Sequence, residues 1–278
     1  MAAVFAGRTG AETILLERTR DGGRKILISG GGRCNVLPMQ VDESRFVTDS
    51  SPNSLRKILR SWPLREQILF FENELGIKLS EEPETNKYFP ASNKARDVRD
   101  ALLREARKAG ATVRTETQVL GFTPHNGSWR VECAGGTPDI ECDALVVATG
   151  GLSVPNTGSE GLGLIELRRL GHEMNSPYVA LTPLLSSRSL FSELSGVSLS
   201  VSITARDDAN NRSASSRGGF LFTHHGYSGP SVLDISHIAV RSRLESDGSA
   251  RVFVNWTDLN TNDWAKQLEP KGNRTVLG

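Results

Sequence analysis

The chain has 278 residues, of which 37% are hydrophobic and 23% are charged. This composition is ordinary for a globular protein and argues against a fibrous or largely disordered chain. The formal net charge is +1, so the chain as a whole has no general attraction for nucleic acid or an acidic membrane. No apolar run approaches the roughly 20 residues that span a bilayer, and the lack of a signal peptide favours a cytoplasmic protein.

The first elements in chain order indicate an α/β fold. Small and apolar residues at positions 2–6 predict the last turns of a buried helix, which ends at Gly10. The run Thr13–Leu16 predicts a buried strand that ends at Glu17. Since a domain does not normally begin inside a helix, we expect a first strand to be missing upstream.

A glycine-rich loop is predicted for Gly22–Asn35. Two helices should follow around residues 54–62 and 64–75, separated by Pro63, because proline cannot continue a helix. A further helix is predicted between Asn93, its N-cap, and Gly110, with an apolar face formed by Val98, Leu102, Leu103 and Ala106.

Strands are predicted next at residues 112–114, 118–122 and 129–133, the last two joined by a turn at Asn126-Gly127. The apolar run Ala144–Ala148 predicts a fully buried strand that leads into Thr149, Gly150 and Gly151. We expect Thr13–Glu17, Thr112–Arg114 and Ala144–Ala148 to lie in one mainly parallel sheet.

The composition changes after about residue 175, where serine and threonine become frequent. Short β-like runs occur at 197–204 and 220–223, and the polar stretch between them, residues 207–218, predicts an exposed loop. We therefore place a boundary near Pro177. A first domain would cover residues 1–176, and a second, mainly β domain would cover 177–278.

Metal and disulfide chemistry are not predicted. The three cysteines, Cys34, Cys133 and Cys142, form no C-x-x-C pair and suggest packed, reduced thiols. A metal site needs three or more converging ligands, and the adjacent His224 and His225 should point to opposite sides of a strand.

Glu17 and the segment after it suggest a nucleotide site. In dinucleotide-binding folds, an acidic residue at the end of the second strand accepts hydrogen bonds from ribose hydroxyls. Glu17 has this position, although a solvated strand end would look the same. Three consecutive glycines, 30–32, suit a backbone that passes close to a flat or anionic group. Arg24, Lys25 and Arg33 can neutralise phosphate or a reduced flavin.

Four stretches carry a resemblance to a known family: ILLERTRDGGRKILISGGGRCN, YFPASNKARDVRDALL, LVVATGGLSVPNTGSEGLG and GGFLFTHHGYSGPSVLDIS. In this order they resemble the BaiN-like family of bacterial NAD(P)/FAD-dependent oxidoreductases, which includes aminoacetone oxidase-like proteins. The resemblance implies an α/β, FAD-binding Rossmann-like domain of glutathione-reductase type, with a parallel sheet and an inserted, mainly β, barrel-like second domain.

The resemblance also implies which residues bind FAD. Glu17 would hold the adenosine ribose, and Val119 would lie in the strand that meets the adenine. The full predicted set is Glu17, Gly23, Arg24, Lys25, Ser29, Gly30, Gly31, Gly32, Arg33, Cys34, Asn35, Val119, Thr149, Gly150 and Gly151.

This sequence departs from the family pattern at three places. The G-x-G-x-x-G loop and a C-terminal flavin-contacting segment are absent, and Val36-Leu37-Pro38 replaces a more polar tripeptide. We therefore expect a chain cut at both ends that binds FAD only in the micromolar range or more weakly, since lost phosphate hydrogen bonds lower affinity.

The predicted function is FAD-dependent hydride transfer, with a reduced nicotinamide, NAD(P)H, as electron donor and a small-molecule substrate. Arg33 is a candidate catalytic cation at the flavin edge, with a phosphate contact or structural ion pair as the alternative. His224 is a candidate general acid, with a loop hydrogen bond as the alternative. A cofactor-free, inactive piece of a flavoprotein is the competing interpretation, and the even charge argues against a flavin-dependent tRNA-modifying protein.

Overall fold

The computed structural model describes residues 1–186, 191–245, 248 and 250–269. The chain divides into two compact units, Met1–Asn175 and Ser176–Gly278. The interpretation of these units as an FAD-binding domain and an insert stays a prediction. In the described part of the chain, no helix combines the length and the apolar character needed to cross a membrane.

The first unit contains helices and strands in mixed order. Its helices are α1 (Ala2–Arg8), α2 (Arg24–Ile28), α3 (Pro52–Ser61), α4 (Leu64–Leu69), α5 (Ala95–Lys108) and α6 (Leu162–Arg169). Its strands are β1 (Ile14–Leu16), β2 (Leu37–Pro38), β3 (Leu79–Glu82), β4 (Lys87–Pro90), β5 (Thr112–Arg114), β6 (Val119–His125), β7 (Ser128–Cys133) and β8 (Ile140–Cys142). A single π-helical turn, Phe70–Glu74, continues α4.

Three small sheets result. β1 and β5 pair in parallel, with Ile14 opposite Thr112. β2, β4 and β3 form an antiparallel sheet in that order, and β6, β7 and β8 form another. The predicted turn joins β6 to β7, with left-handed φ angles of 50° at Asn126 and 83° at Gly127, which suits the right-handed twist of a hairpin.

The core of the first unit forms between helices and the parallel pair. Phe70 is 2% exposed and contacts Phe5 of α1, Trp62 after α3 and its neighbour Phe71. On α5, the predicted apolar face is confirmed at Val98 and Ala106, which are buried in the same core. This packing holds β1 and β5 in place, because α1 and α5 contact one another beside them.

The prediction of a buried strand at Ala144–Ala148 is wrong. The segment has no regular secondary structure, and Val146 is 67% exposed. No strand among the described residues lies beside it to exchange backbone hydrogen bonds, and apolar character alone cannot make a strand without such a partner. Only 13–17 and 112–114 of the three predicted segments therefore share a sheet.

Two local predictions near α2 and α5 also need correction. Gly22–Asn35 is not entirely loop, because α2 and a short 3-10 turn at Ser29–Gly32 lie within it. Ile26 packs against the core, which favours a helical turn with one face inward. Asn93 does not cap α5; Lys94 has the N-cap position, and Asn93 takes a left-handed conformation with φ 54°.

The second unit is built on one antiparallel sheet. Its strands are β9 (Leu184–Leu185), β10 (Ser198–Asp207), β11 (Arg212–Thr223), β12 (Gly226–Ser228) and β13 (Arg251–Asn255), in the spatial order β13-β10-β11-β12-β9. Its helices are α7 (Pro230–Glu245) and α8 (Thr261–Gln267). α7 packs on the sheet, and the buried core between them is Val201, Ile203, Ala205, Phe220, Phe222, Val232, Ile235 and Ile238.

The predicted exposed loop at residues 207–218 is wrong over most of its length. Residues from Arg212 onward belong to β11, where Ala214 lies opposite Ala205 of β10 and Ser215 lies opposite Thr204. Side chains alternate across a strand, so the small Ala214 packs against the core while Ser215 faces solvent and hydrogen-bonds Thr204. Only the short 3-10 turn Asp208–Asn210 and Asn211 connect the strands.

Candidate functional site

Glu17 is fixed at the end of β1 by a tight local turn. Its Oε1 accepts hydrogen bonds from the backbone N–H of Thr19 at 2.7 Å and from the Thr19 hydroxyl at 2.6 Å. The Thr19 hydroxyl in turn accepts the backbone N–H of Gly22 at 3.2 Å. The other oxygen of the carboxylate, Oε2, has no hydrogen-bond donor among the described residues. The turn therefore positions Glu17 and leaves one acceptor oxygen open.

Lys25, at the start of α2, contacts the loop that follows the 144–148 segment. Its Nζ donates to the hydroxyl of Ser159 at 2.8 Å and to that of Ser153 at 3.1 Å. Ser159 itself donates to the carbonyl of Gly151 at 2.7 Å. Lys25 and Gly151, both predicted site residues, thus belong to one hydrogen-bonded arrangement through Ser159, although 126 positions separate them in the sequence.

Gly150 has a backbone that only glycine adopts readily. Its φ is 73°, and a Cβ at this position would lie 2.8 Å from the Ser159 hydroxyl and 3.7 Å from Nζ of Lys25. Glycine is therefore required both by conformation and by close approach. The backbone at Gly150 therefore lies close to the Lys25 ammonium.

The Glu17 turn and the same loop are joined by a second pair of contacts. The two terminal guanidinium nitrogens of Arg18 donate to the carboxylate of Glu160 at 2.6 and 3.0 Å. This hydrogen bonding lowers the pKa of the Glu160 carboxyl. A Cβ at Gly158 would lie 3.3 Å from Cγ2 of Thr19. We call Glu17, Lys25, Gly150, Ser153 and Ser159, which these contacts bring to one place, the strand-end cluster.

Gly23 and Arg24 lie at the edge of this cluster. Gly23 is the N-cap of α2, with φ 63°, and a Cβ there would lie 2.7 Å from Cγ of Arg99. Arg24 pairs with Asp21 at 3.0 Å, and this hydrogen bond lowers the pKa of the Asp21 carboxyl. The role of Arg24 toward a phosphate stays a prediction, since its guanidinium already has an acidic partner.

The glycine triplet and Arg33 form a second, separate arrangement. Gly30, Gly31 and Gly32 all have left-handed φ angles, and a Cβ at Gly30 would lie 2.6 Å from Oδ1 of Asn35. Arg33 donates to Glu82 at 2.6 Å, and its guanidinium carbon lies 4.1 Å from the ring centre of Phe89. In this structure Arg33 thus has the structural ion pair that the sequence left open as its alternative role.

Cys34 and Ser29 are part of the same segment. The Cys34 side chain is 5% exposed, and burial raises the pKa of its thiol. Ser29 donates to the carbonyl of Ile26 at 3.0 Å and so closes the end of α2. The sequence expectation of a packed Cys34 thiol agrees with this environment.

Val119 is the first residue of β6, and the segment just before it hydrogen-bonds to the backbone of Glu17. The backbone N–H of Thr117 donates to the Glu17 carbonyl at 3.0 Å, two residues before Val119. Val119 itself pairs with Cys133 of β7. The structure therefore places the start of β6 next to the turn that holds Glu17, while a contact of Val119 with adenine stays a prediction.

His224 lies in the second unit, in the turn between β11 and β12. Both His224 and His225 are exposed at this turn, so the expectation that they alternate along a strand is wrong. Arg33 and His224 belong to different units, and their catalytic roles stay predictions. Within the residues that the structure describes, no three His, Cys, Asp or Glu side chains converge as metal ligands would.

The donor and acceptor groups of the strand-end cluster fit the ribose and pyrophosphate of a dinucleotide. The open oxygen of Glu17 can accept from ribose hydroxyls, and Lys25 can face a phosphate. Sequence reasoning missed Ser153 and Ser159, which hold Lys25. The signal was present in the polar stretch SVPNTGSEG after Gly151, where serines and glycines alternate with few apolar residues.

Comparison with known proteins gives one family and several relatives. A family model described as the HI0933-like protein Rossmann domain matches residues 1–254. The chain is 30% identical over 237 residues to the ribosomal RNA dihydrouridine synthase of Escherichia coli (strain K12), covering 84% of this chain and 56% of that protein. The protein of the same name from Haemophilus influenzae is 28% identical over 247 residues, covering 84% and 57%. The 3-dehydro-bile acid delta(4,6)-reductase of Clostridium scindens is 27% identical over 242 residues, covering 86% and 58%.

These matches confirm the α/β fold class with a Rossmann-type FAD-binding part and an antiparallel β part. The resemblance to a family of FAD-binding flavoproteins is confirmed as well. The chain spans a little over half the length of the curated relatives that it matches.

Proposed function

Because this chain belongs to the family of the HI0933-like protein Rossmann domain, an FAD-binding family, we propose that it is part of an FAD-dependent oxidoreductase. The match over residues 1–254 is the observation that carries this proposal. The strand-end cluster supports it, since a carboxylate at a strand end can hold a ribose and a lysine ammonium can face a phosphate.

The names of the relatives support one reaction class. Dihydrouridine is uridine with two hydrogens added across a ring carbon–carbon double bond, and a delta(4,6)-reductase is named for reduction at carbon–carbon double bonds. We therefore propose reduction of a double bond conjugated with a carbonyl. One NAD(P)H and one proton are consumed, NAD(P)⁺ is released, and the carbon–carbon double bond becomes a single bond.

The residues of this chain would bind, orient and supply a proton. Bound FAD supplies the hydride transfer from the nicotinamide to the substrate. Glu17 would hold the ribose and Lys25 would neutralise a phosphate, while Gly150, where a side chain would collide with Ser159, lets the loop pass close to Lys25. Hydride addition to one carbon of the double bond requires a proton at the other, and His224 is our candidate donor.

The role of His224 can be tested against its neighbour. His224→Gln should lower kcat by on the order of a hundredfold with little change in KM, because glutamine keeps a hydrogen-bonding side chain but cannot act as a proton donor. His225→Gln removes a second exposed imidazole from the same turn and should leave kcat unchanged. Equal effects of the two substitutions would exclude His224 as the acid.

The proposed function is tested by an anaerobic absorbance experiment on the full chain. The protein is incubated with FAD, and NADPH or NADH is then added. Loss of the visible flavin absorbance, followed by its recovery when a conjugated enone is added, is the expected result. If the chain retains no FAD at any concentration tested, the competing interpretation of a cofactor-free protein is correct and the proposal fails.

A second candidate substrate is uridine in RNA. The whole-chain charge led us to expect a small-molecule substrate and no nucleic acid, but two relatives are named for a modified nucleoside of ribosomal RNA. The same reduction would then add two hydrogens to a uracil ring. Mass spectrometry of nucleosides from RNA incubated with the reduced protein distinguishes the substrates, since dihydrouridine is heavier than uridine by two hydrogens.

A further inference from the structure

One exposed face of α3 carries three cations in two helical turns. Asn53, Arg56, Lys57, Arg60 and Ser61, which we call the basic face, line an open surface pocket of about 530 Å³. Their spacing of three and four residues places them above one another on the same side of the helix. Arg56 and Arg60 are about 6 Å apart along the axis, because an α-helix rises about 1.5 Å per residue.

The positive charge of this face is only partly neutralised. Arg56 donates to Glu43 at 3.1 Å and to Asn53 at 3.1 Å. Lys57 and Arg60 have no acidic partner among the described residues, and both are exposed. Ion pairing among the described residues therefore accounts for one of the three cations and leaves the other two for solvent or for a ligand.

The opposite side of α3 is turned toward the protein. Leu55 and Leu59 are partly buried, and Trp62, which follows the helix, packs edge-on against Phe5 and Phe70. A helix that lies in a membrane surface places its apolar side in the lipid. Because Leu55 and Leu59 are partly buried, Ile58, which is 69% exposed, is the main apolar side chain of α3 left to enter a lipid surface, and the basic face does not match an amphipathic membrane anchor.

From this arrangement, and resting on the proposed reduction of uridine in RNA, we propose that the basic face of α3 docks the phosphate backbone of the RNA substrate. Lys57 and Arg60 would each contact one phosphate, while the side-chain amide of Asn53, whose Oδ1 accepts from Arg56, can donate a hydrogen bond to a phosphate oxygen. The whole-chain charge of +1 does not oppose this, because contacts with the RNA phosphates depend on the cations at the binding surface rather than on the net charge of the chain.

The test measures binding of a fluorescein-labelled, single-stranded RNA to the full chain by anisotropy over a range of salt concentrations. Each phosphate contact contributes about 0.7 to the slope of log affinity against log salt for single strands. The double variant Lys57→Gln/Arg60→Gln should bind RNA on the order of tenfold more weakly at low salt, with a slope lower by about 1.4. The matched control Arg96→Gln/Arg107→Gln removes two exposed cations from α5 and should leave the affinity and slope unchanged.

Several outcomes would overturn the proposal: no RNA binding at low salt, equal losses in both double variants, or a preference for vesicles of anionic phospholipid over RNA. The docking surface and the proposed reduction can fail separately. Reduction of a small enone should be the same in wild type and in Lys57→Gln/Arg60→Gln. A chain that reduces no substrate but binds RNA through Lys57 and Arg60 contradicts the proposed reduction and supports the docking surface.

Discussion

At the residue scale, the two carboxylate oxygens of Glu17 differ in their hydrogen bonding. Oε1 accepts two hydrogen bonds from Thr19, and Oε2 has no hydrogen-bond donor among the described residues. A carboxylate that is oriented in advance loses little side-chain entropy when it binds a hydroxyl group. Charge-assisted hydrogen bonds to such a group contribute about 1.5–3 kcal/mol each.

Glu17→Gln should therefore weaken FAD binding by roughly tenfold or more. The amide keeps the shape and one acceptor, but it loses the negative charge that strengthens a bond to a ribose hydroxyl. Fluorescence titration with FAD measures the effect, and Glu12→Gln, at an exposed glutamate two residues before β1, serves as a matched control. FMN lacks the adenosine ribose, so an equal loss of FMN affinity would contradict the assignment.

The reactivity of the Cys34 thiol tests whether the segment that contains the glycine triplet and Arg33 is packed as described. Burial raises the pKa of all three thiols, and Cys34 is the most deeply buried of them. A raised pKa means that less thiolate is present at a given pH, and the thiolate is the reactive form. At about pH 8, iodoacetamide should modify Cys133 and Cys142 well before Cys34. In urea all three should react alike, and early modification of Cys34 in the folded chain would contradict its buried position.

The sequence singled out Glu17 and Lys25 as candidate site residues, but it did not predict which side chains they contact. Glu17 and Lys25 stand in recognisable patterns, whereas the partners of Lys25 lie 128 and 134 positions away. Arg33 has the pattern of a cofactor-facing cation, yet its nearest carboxylate is Glu82, brought close by the β2-β4-β3 sheet. Pairings of this kind depend on tertiary contacts, which local spacing does not encode.

At the element scale, Phe70 connects α1, α3 and α4. It is 2% exposed and makes ring contacts with Phe5, Trp62 and Phe71. Phe70→Ala should lower the free energy of unfolding of the first unit by about 3–5 kcal/mol, because it removes a large side chain and leaves a cavity. Ile58→Ala, at a side chain that is 69% exposed, should change it by less than about 0.5 kcal/mol. Urea denaturation followed by circular dichroism compares them, and similar midpoints would contradict the described core.

Elements with a regular spacing of apolar residues or a clear turn sequence were predictable, whereas elements with a misleading composition were not. α5 and the β6–β7 hairpin follow their apolar spacing and their Asn-Gly turn closely. Ala144–Ala148 has the composition of a strand but no neighbour to pair with. Two further elements were difficult to predict because they contain serines where apolar residues are expected. β11 begins with a run of small and polar residues, and α7 buries Ser231, Ser236 and Ser242.

At the scale of the whole molecule, properties averaged over the chain conceal local features. A net charge of +1 results from 33 basic and 32 acidic residues, yet the basic face of α3 gathers three cations in one place. The sequence likewise indicated a change of composition near residue 175, and the chain divides into compact units at Asn175 and Ser176. Composition therefore bounds the class of protein, while binding depends on where charges and glycines converge.

The central claim is that the strand-end cluster binds the adenosine and pyrophosphate part of FAD. The most direct measurement is a fluorescence titration of FAD into the full chain and into Lys25→Met, with Lys78→Met as the control at an exposed lysine. We predict micromolar binding by wild type and by the control, competition by ADP-ribose but not by FMN, and on the order of tenfold weaker binding by Lys25→Met. Absence of FAD binding, or equal affinities of Lys25→Met and wild type, would contradict the account.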